Sequence, residues 1–248
     1  MPKLPQMLKQ EPLVEALFEV RLSGNCPLAD ILPGFLYHEL KPQPTIQRLP
    51  TANLPPPMRA SDPNLHFTPV QQLEWENYFI SVGDRNVQIR CKFPYPKWHK
   101  FKGTILKIIQ QIAKFCITEK VIRYSVKYVN LIQAATLSEQ MEKIKLAIKL
   151  GDIKVEADNV SLQVQRKEGD VVHILSVINN ASSNITNEKT TSGVIVDIDS
   201  FRQLDNLDFS TFATNFEEGL EQLRQANKEK FFGCLTDRTI EELGPIYE

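Results

Sequence analysis

Glycine is scarce in this chain, 10 of 248 residues, and the loops that glycine builds are missing with it. No Gly-x-x-x-x-Gly-Lys-Ser/Thr loop, Gly-x-Gly-x-x-Gly turn or Gly-x-Ser-x-Gly elbow occurs. Phosphate cradling, dinucleotide binding and elbow-type ester hydrolysis therefore lose their usual supports. Cysteine and histidine are equally sparse. Cys26, Cys91, Cys116 and Cys234 form no Cys-x-x-Cys pair, which excludes zinc ribbons and thioredoxin-like motifs and leaves buried reduced thiols as the expectation. His38, His66, His99 and His173 are scattered, with no His-Glu-x-x-His or His-x-His set, so neither a metal nor another cofactor is expected. The longest apolar run, Val171 to Ile178, is strand-sized and short of the ~18 residues of a membrane span. Met1-Pro2-Lys3-Leu4-Pro5 lacks a signal-peptide core, so the expected address is the cytosol.

What is present is patterned. Val14, Ala16, Phe18, Val20 and Leu22 alternate with Glu15, Glu19 and Arg21, predicting a strand over 12–22 with its charges facing water. A short broken helix over 27–40 follows, and then a proline-rich stretch, Lys41 to Pro63, that reads as irregular or polyproline-like. It is long enough to wrap a sheet edge or dock on a partner. Strands are predicted near 65–73, 77–82 and 87–93, and Phe101, Ile105, Ile108, Ile109, Ile112 and Phe115 repeat as one apolar helix face.

A second cycle starts at Val121, about 109 residues after Pro12. It comprises a strand over 121–133, a helix from Leu137 to Ile148 closed by Gly151, a hairpin of 160–165 and 171–178, and a loop over 180–192. A strand over 193–199 leads through a Ser200 junction into a helix carrying Phe212, Phe216, Leu220 and Leu223, and Thr236 opens a terminal helix. Both halves read β-α-β-β-β-α. The expected fold is therefore α+β: two pseudo-repeats, 1–118 and 119–248, forming one compact unit with a curved antiparallel sheet and its helices on one face. In outline this is similar to the TATA-binding-protein saddle, a likeness of geometry alone.

Pro12-Leu13-Val14-Glu15-Ala16-Leu17-Phe18-Glu19-Val20, Tyr95-Pro96-Lys97-Trp98-His99-Lys100-Phe101, Arg123 to Asn130, Val196-Asp197-Ile198-Asp199 and Phe231 to Thr236 occur in an order that resembles a sporadically distributed, functionally uncharacterised prokaryotic family of about this length. The resemblance brings no catalytic residues. The patchy distribution implies mobile accessory genes, such as those of antiviral defence or of toxin and antitoxin loci.

Charge is the strongest local anomaly. No acidic residue lies between Asp84 and Glu119, while Arg85, Arg90, Lys92, Lys97, Lys100, Lys102, Lys107 and Lys114 interleave with Phe93, Tyr95, Trp98 and Phe101. That mixture suits single-stranded nucleic acid, with cations on phosphates and rings on bases, and equally suits a solvated helix face beside an aromatic plug. Residues 1–118 carry a net +5 and 119–248 a net −6, a dipole that favours partners of opposite charge on each half over a long duplex. Glu15, Glu19, Arg123, Asp197 and Asp199 offer acid/base groups, or simply the wet face of a sheet. The leading expectation is a non-catalytic protein-binding accessory subunit using Tyr95, Trp98, Arg123, Lys127, Asp197 and Asp199. The alternative is a single-strand-binding protein using Arg85, Arg90, Lys92, Lys97, Lys100 and Lys102, and a third reading holds a small ligand between helices and sheet.

Overall fold

The computed structural model of the chain describes residues 4–24, 26–115, 119–186 and 189–247, with side chains described throughout except at 150, 182–186 and 189–191. Cys116 and the repeat boundary at Thr118 lie outside the described residues. In chain order the elements are β1 (Met7–Leu8), β2 (Leu13–Ser23), α1 (Leu28–Glu39), β3 (Thr45–Arg48), a 3-10 turn (Pro50–Asn53), α2 (Pro56–Ser61), β4 (Pro69–Trp75), β5 (Tyr78–Gly83), β6 (Asn86–Cys91) and α3 (Trp98–Lys114). They continue with β7 (Lys120–Gln133), α4 (Leu137–Glu142), β8 (Ile148–Leu150), β9 (Ile153–Val155), β10 (Ser161–Glu168), β11 (Val171–Thr186), β12 (Lys189–Asp208), α5 (Phe209–Cys234), α6 (Asp237–Glu242) and β13 (Pro245–Ile246).

The fold is α+β. Among the described residues a nine-stranded sheet runs in the order β10-β11-β12-β7-β2-β6-β5-β4-β3, and two further sheets have two strands each, β1-β13 and β8-β9. The chain divides into two units. Unit 1 holds 1–15, 127–200 and 224–248, and unit 2 holds 16–126 and 201–223.

In unit 2 strand register sorts the side chains into two faces. Phe18 lies opposite Ile89, Ile89 opposite Ile80, Ile80 opposite Leu73 and Leu73 opposite Ile46, an apolar row crossing five antiparallel strands. One residue along, Glu19, Gln88, Ser81, Gln72 and Gln47 form a polar row on the other face, as the two-residue period requires. Helices cover the apolar face. Phe101, Ile105, Ile108, Ile109 and Ile112 of α3 are fully buried, and Phe101 stacks on Tyr78 at 6.2 Å. Phe216 of α5 packs on Phe18 at 6.2 Å and on Phe212 at 4.5 Å. In unit 1 the corresponding core joins Phe231 and Phe232 of α5, and Leu235 just after it, to Ile132, Val177, Val194, Val196 and Ile198. Gly193 lets β12 close on β7, because a Cβ there would meet the Ile132 carbonyl oxygen at 2.2 Å.

Four readings of secondary structure need correction. The proline-rich stretch is built, not irregular: β3 pairs with β4, and α2 anchors through Arg59, 5% exposed, whose guanidinium donates to Asp84 at 2.8 and 3.1 Å and to the Leu54 carbonyl at 2.6 Å. Segment 137–151 is not one helix. A capping box of Thr136 and Glu139 starts α4, but Lys145 then gives its N–H to the Cys234 carbonyl, Ile148 enters β8, and Gly151 makes the β8-β9 turn at φ 60°. The polar run 180–192 is strand rather than loop, apart from the undescribed 187–188. Nor is there a junction at Ser200, because β12 runs on to Asp208 and α5 begins at Phe209. Ser200 is fully buried, with its hydroxyl bonded to His173 and Asn227, so a residue that reads as a loop signal is satisfied inside the strand.

Replacing Arg59 by alanine removes three hydrogen bonds made by a buried guanidinium. It is expected to lower the unfolding free energy by about 1–3 kcal/mol in urea. A loss below about 0.5 kcal/mol would contradict the anchoring role.

Candidate functional site

Glu19 was expected in water and is 5% exposed instead. Its carboxylate accepts from Arg21 Nε at 2.6 Å, Asn86 Nδ2 at 3.0 Å and Gln88 Nε2 at 2.9 Å. Asn86 also donates to the Phe67 carbonyl at 2.8 Å, and Arg21 lies over the Phe67 ring at 4.5 Å. A carboxylate this well supplied with donors is held in one orientation. It fixes the β2-β6 register and pins the segment before β4 to the polar face. Sequence reading missed it; the available signal was amides at Asn86 and Gln88, two residues apart on a facing strand.

The basic aromatic segment divides between the two faces of unit 2. Arg90 and Lys92 both lie 5.1 Å from the Phe79 centroid, on the polar face, where Lys92 Nζ also pairs with Glu74 at 2.7 Å. Trp98 opens α3 on the helix side and meets Phe101 edge-on at 6.1 Å, with Tyr95 edge-on to the same ring at 6.3 Å. The Trp98 indole N–H donates to the Glu221 carboxylate at 2.9 and 3.0 Å. Lys102 Nζ sits between Glu217 at 3.3 Å and Glu221 at 3.2 Å, and hydrogen bonding to Glu221 outweighs burial in raising its pKa. Thus α5 supplies the acids that the segment lacks. Lys97 takes φ 72° at the head of α3, Lys97 and Lys100 are exposed, and Arg85 is half-buried in the β5-β6 turn, where its carbonyl accepts from Leu22.

The charged residues of β7 and β12 part company. In unit 1 Lys127 Nζ pairs with Asp197 at 3.0 Å; burial opposes its charge, but Asp197, with Glu15 and Asp199, outweighs burial and holds the ammonium above its ordinary range. In unit 2 Arg123 lies over the Phe201 ring at 3.8 Å. Lys127, Asp197, Asp199 and Glu15 come together as an ion-paired cluster on a half-buried sheet face.

His173 Nδ1 lies 2.8 Å from Ser200 Oγ, and Asn227 Nδ2 donates to Ser200 Oγ and to the Ile198 carbonyl, both at 2.9 Å. All three residues are at most 1% exposed, so the pair, which has the elements of a nucleophile and base, is enclosed by the described residues. Burial, and then Lys230, pushes the His173 pKa down. Among the described residues no group of three or more His, Cys, Asp or Glu is placed to hold a metal, and no helix is long and apolar enough to cross a membrane.

The outer strand of unit 1 is different in kind. Among the described residues β10 ends the sheet order and pairs with β11 alone. Leu162 and Val164 stand opposite Val177 and Leu175, so they continue the core face of β11 one strand outward. There Val177 is buried while Val164 is 46% exposed. An eight-residue edge whose outer backbone pairs with no strand among the described residues, and which carries Leu162 and Val164 on one face, is a template for strand addition. At the other end, β3 has only four residues, a short edge of the kind that discourages pairing.

Two measurements check these sites. A double-mutant cycle of Trp98→Phe with Glu221→Gln should give a coupling of about 0.5–1 kcal/mol in urea unfolding, and zero coupling would deny the contact. Since the folded state depresses the His173 pKa, the unfolded chain binds the extra proton. The stability this group contributes is therefore whole above the ordinary imidazole value and declines as pH falls through it, by at most about 1.4 kcal/mol per pH unit. Urea unfolding between about pH 7 and 5.5 should show that slope in the native chain and a smaller one in His173→Asn. Compared with known proteins, the chain matches no family model and no curated protein.

Proposed function

We propose that this protein is a non-catalytic protein-binding subunit, accessory or regulatory in role, that engages its partner by strand addition along β10. The observation that carries the reading is the long edge of β10, with Val164 exposed on a face that is core one strand further in. The partner segment is extended, with apolar side chains over Leu162 and Val164 and acidic ones toward Arg166 and Lys167. Arg166, Lys167 and Glu168 also act as charged gatekeepers against indiscriminate pairing. The order of sequence segments, through its resemblance to a patchily distributed prokaryotic family, supports a place in a cytoplasmic defence system.

Duplication accounts for the frame. β2, α1, β4, β5, β6 and α3 follow the same order as β7, α4, β10, β11, β12 and α5. Within the sheet, β6-β5-β4 run outward from β2 as β12-β11-β10 run outward from β7. Two copies of one β-α-β-β-β-α repeat, one capped by the added β3, would give that pattern.

Single-stranded nucleic-acid binding through 85–114 has less support. Its cations and rings lie on two faces, and Trp98 and Lys102 already have acidic partners from α5. Affinity capture from the source organism after nuclease treatment separates the two. A stoichiometric protein partner, retained by Trp98→Ala and lost with Val164→Asp, is the expected result. Recovery of nucleic acid that is lost in Trp98→Ala, or a partner indifferent to Val164→Asp, would overturn the proposal. Turnover of a nucleotide or ester abolished by changing Asp197 or Arg123 would overturn it too.

A further inference from the structure

The C-terminal half of α5 does not spend its whole surface on the core. Gln225, Lys228 and Phe232, at helical spacings of three and four, line one wall of an open cavity of about 960 Å³ in unit 1. That volume lies within the range of small-molecule sites. Leu4, Ile240 and Tyr247 give the cavity an apolar lining alongside Phe232, and Leu4 and Ile240 pack directly on the unit 1 core.

Three ammonium groups also line it, and they are not equivalent. Lys145 pairs with Asp237 at 2.8 Å, and Lys230 pairs with Glu168 at 2.6 Å. Among the described residues no carboxylate pairs with Lys228. Burial, and then Arg224 one turn earlier, pushes its pKa down. Of the other acids in the lining, Glu229 accepts the Gln225 amide at 3.0 Å, and Glu241 is exposed. The cavity therefore holds one half-buried cation without a counter-ion, next to apolar surface, an arrangement that costs energy until an anion arrives.

We propose that this cavity binds a monocarboxylate with an apolar tail, its carboxylate paired with Lys228 and its tail against Phe232 and Ile240. Neither part suffices alone. The ammonium selects the head by charge, and the apolar lining contributes in proportion to the tail surface it covers. Binding restores the charge that burial disfavours, so affinity is greatest while Lys228 is protonated and falls as pH rises through its depressed pKa.

Decanoate is the probe, used below its micelle concentration and followed by titration calorimetry on the full chain, with acetate and decanol as head-only and tail-only controls. The expected result is one decanoate per chain, at least about tenfold weaker in Lys228→Met, retained in Lys228→Arg, with both controls at least about tenfold weaker than decanoate. Thermal unfolding of each variant establishes that it is folded. No decanoate binding, equal binding by decanol, or an unchanged affinity in Lys228→Met would overturn the proposal.

Discussion

An apolar strand face has to be covered, and the reach of the helices decides where covering stops. In unit 1 Phe231 and Phe232 of α5, with Leu235 just past its end, close over Ile132, Val196, Ile198 and Val177, which belong to β7, β12 and β11. Past β11 the alternation persists in Leu162 and Val164, but the cover thins: Leu162 is half-buried and Val164 is exposed. Burying a Val or Leu side chain is worth about 1.5–3 kcal/mol, so the partly covered outer strand leaves free energy that a partner can recover. The candidate interface and the core are thus two parts of one sheet face, distinguished only by what lies over them.

Unit 2 shows the opposite economy. Its polar face is held by Glu19, whose three side-chain donors tie β2 to β6 and, through Asn86, to the backbone at Phe67. Gly83 belongs to the same arrangement, because any side chain there would collide with the Asn86 amide oxygen and the Thr68 carbonyl. Arg59 adds a second anchor by holding α2 to Asp84 in the adjoining turn. The proline-rich stretch is consequently part of the sheet's construction. Acids delivered from α5 to Trp98 and Lys102 neutralise part of the charge that looks so prominent along the chain.

Much of this was legible in the sequence because periodicity reports burial. The faces of β2 and β7, the apolar stripe of α3, the β10-β11 hairpin and the Thr236 cap all followed from spacing. Pattern failed where tertiary partners satisfy polar groups. Ser200 reads as a break and is buried beneath His173 and Asn227; Glu19 reads as solvent-facing and is enclosed by amides and a guanidinium. The helix expected to reach Ile148 stops at Glu142 because the chain beyond it pairs with the end of α5, a partner some 90 residues distant that no local window contains. Of the residues singled out for a site, Lys127, Asp197 and Asp199 do assemble, while the basic aromatic run is divided between faces because Arg90 and Lys92 share the polar face of the sheet and Trp98 belongs to α3, which covers the other. The β10 edge could not be read at all, since being last in a sheet is a property of topology and not of composition.

The central claim is that the outward backbone of β10 is unpaired in the free protein and becomes paired in the complex. Amide hydrogen exchange on β10, in the free chain and with the captured partner bound, tests it most directly. The account predicts alternation in the free state, with amides facing β11 slow and outward ones fast, and slowing of the outward set alone on binding. Uniform protection in the free chain, or outward amides that stay fast in the complex, would contradict it.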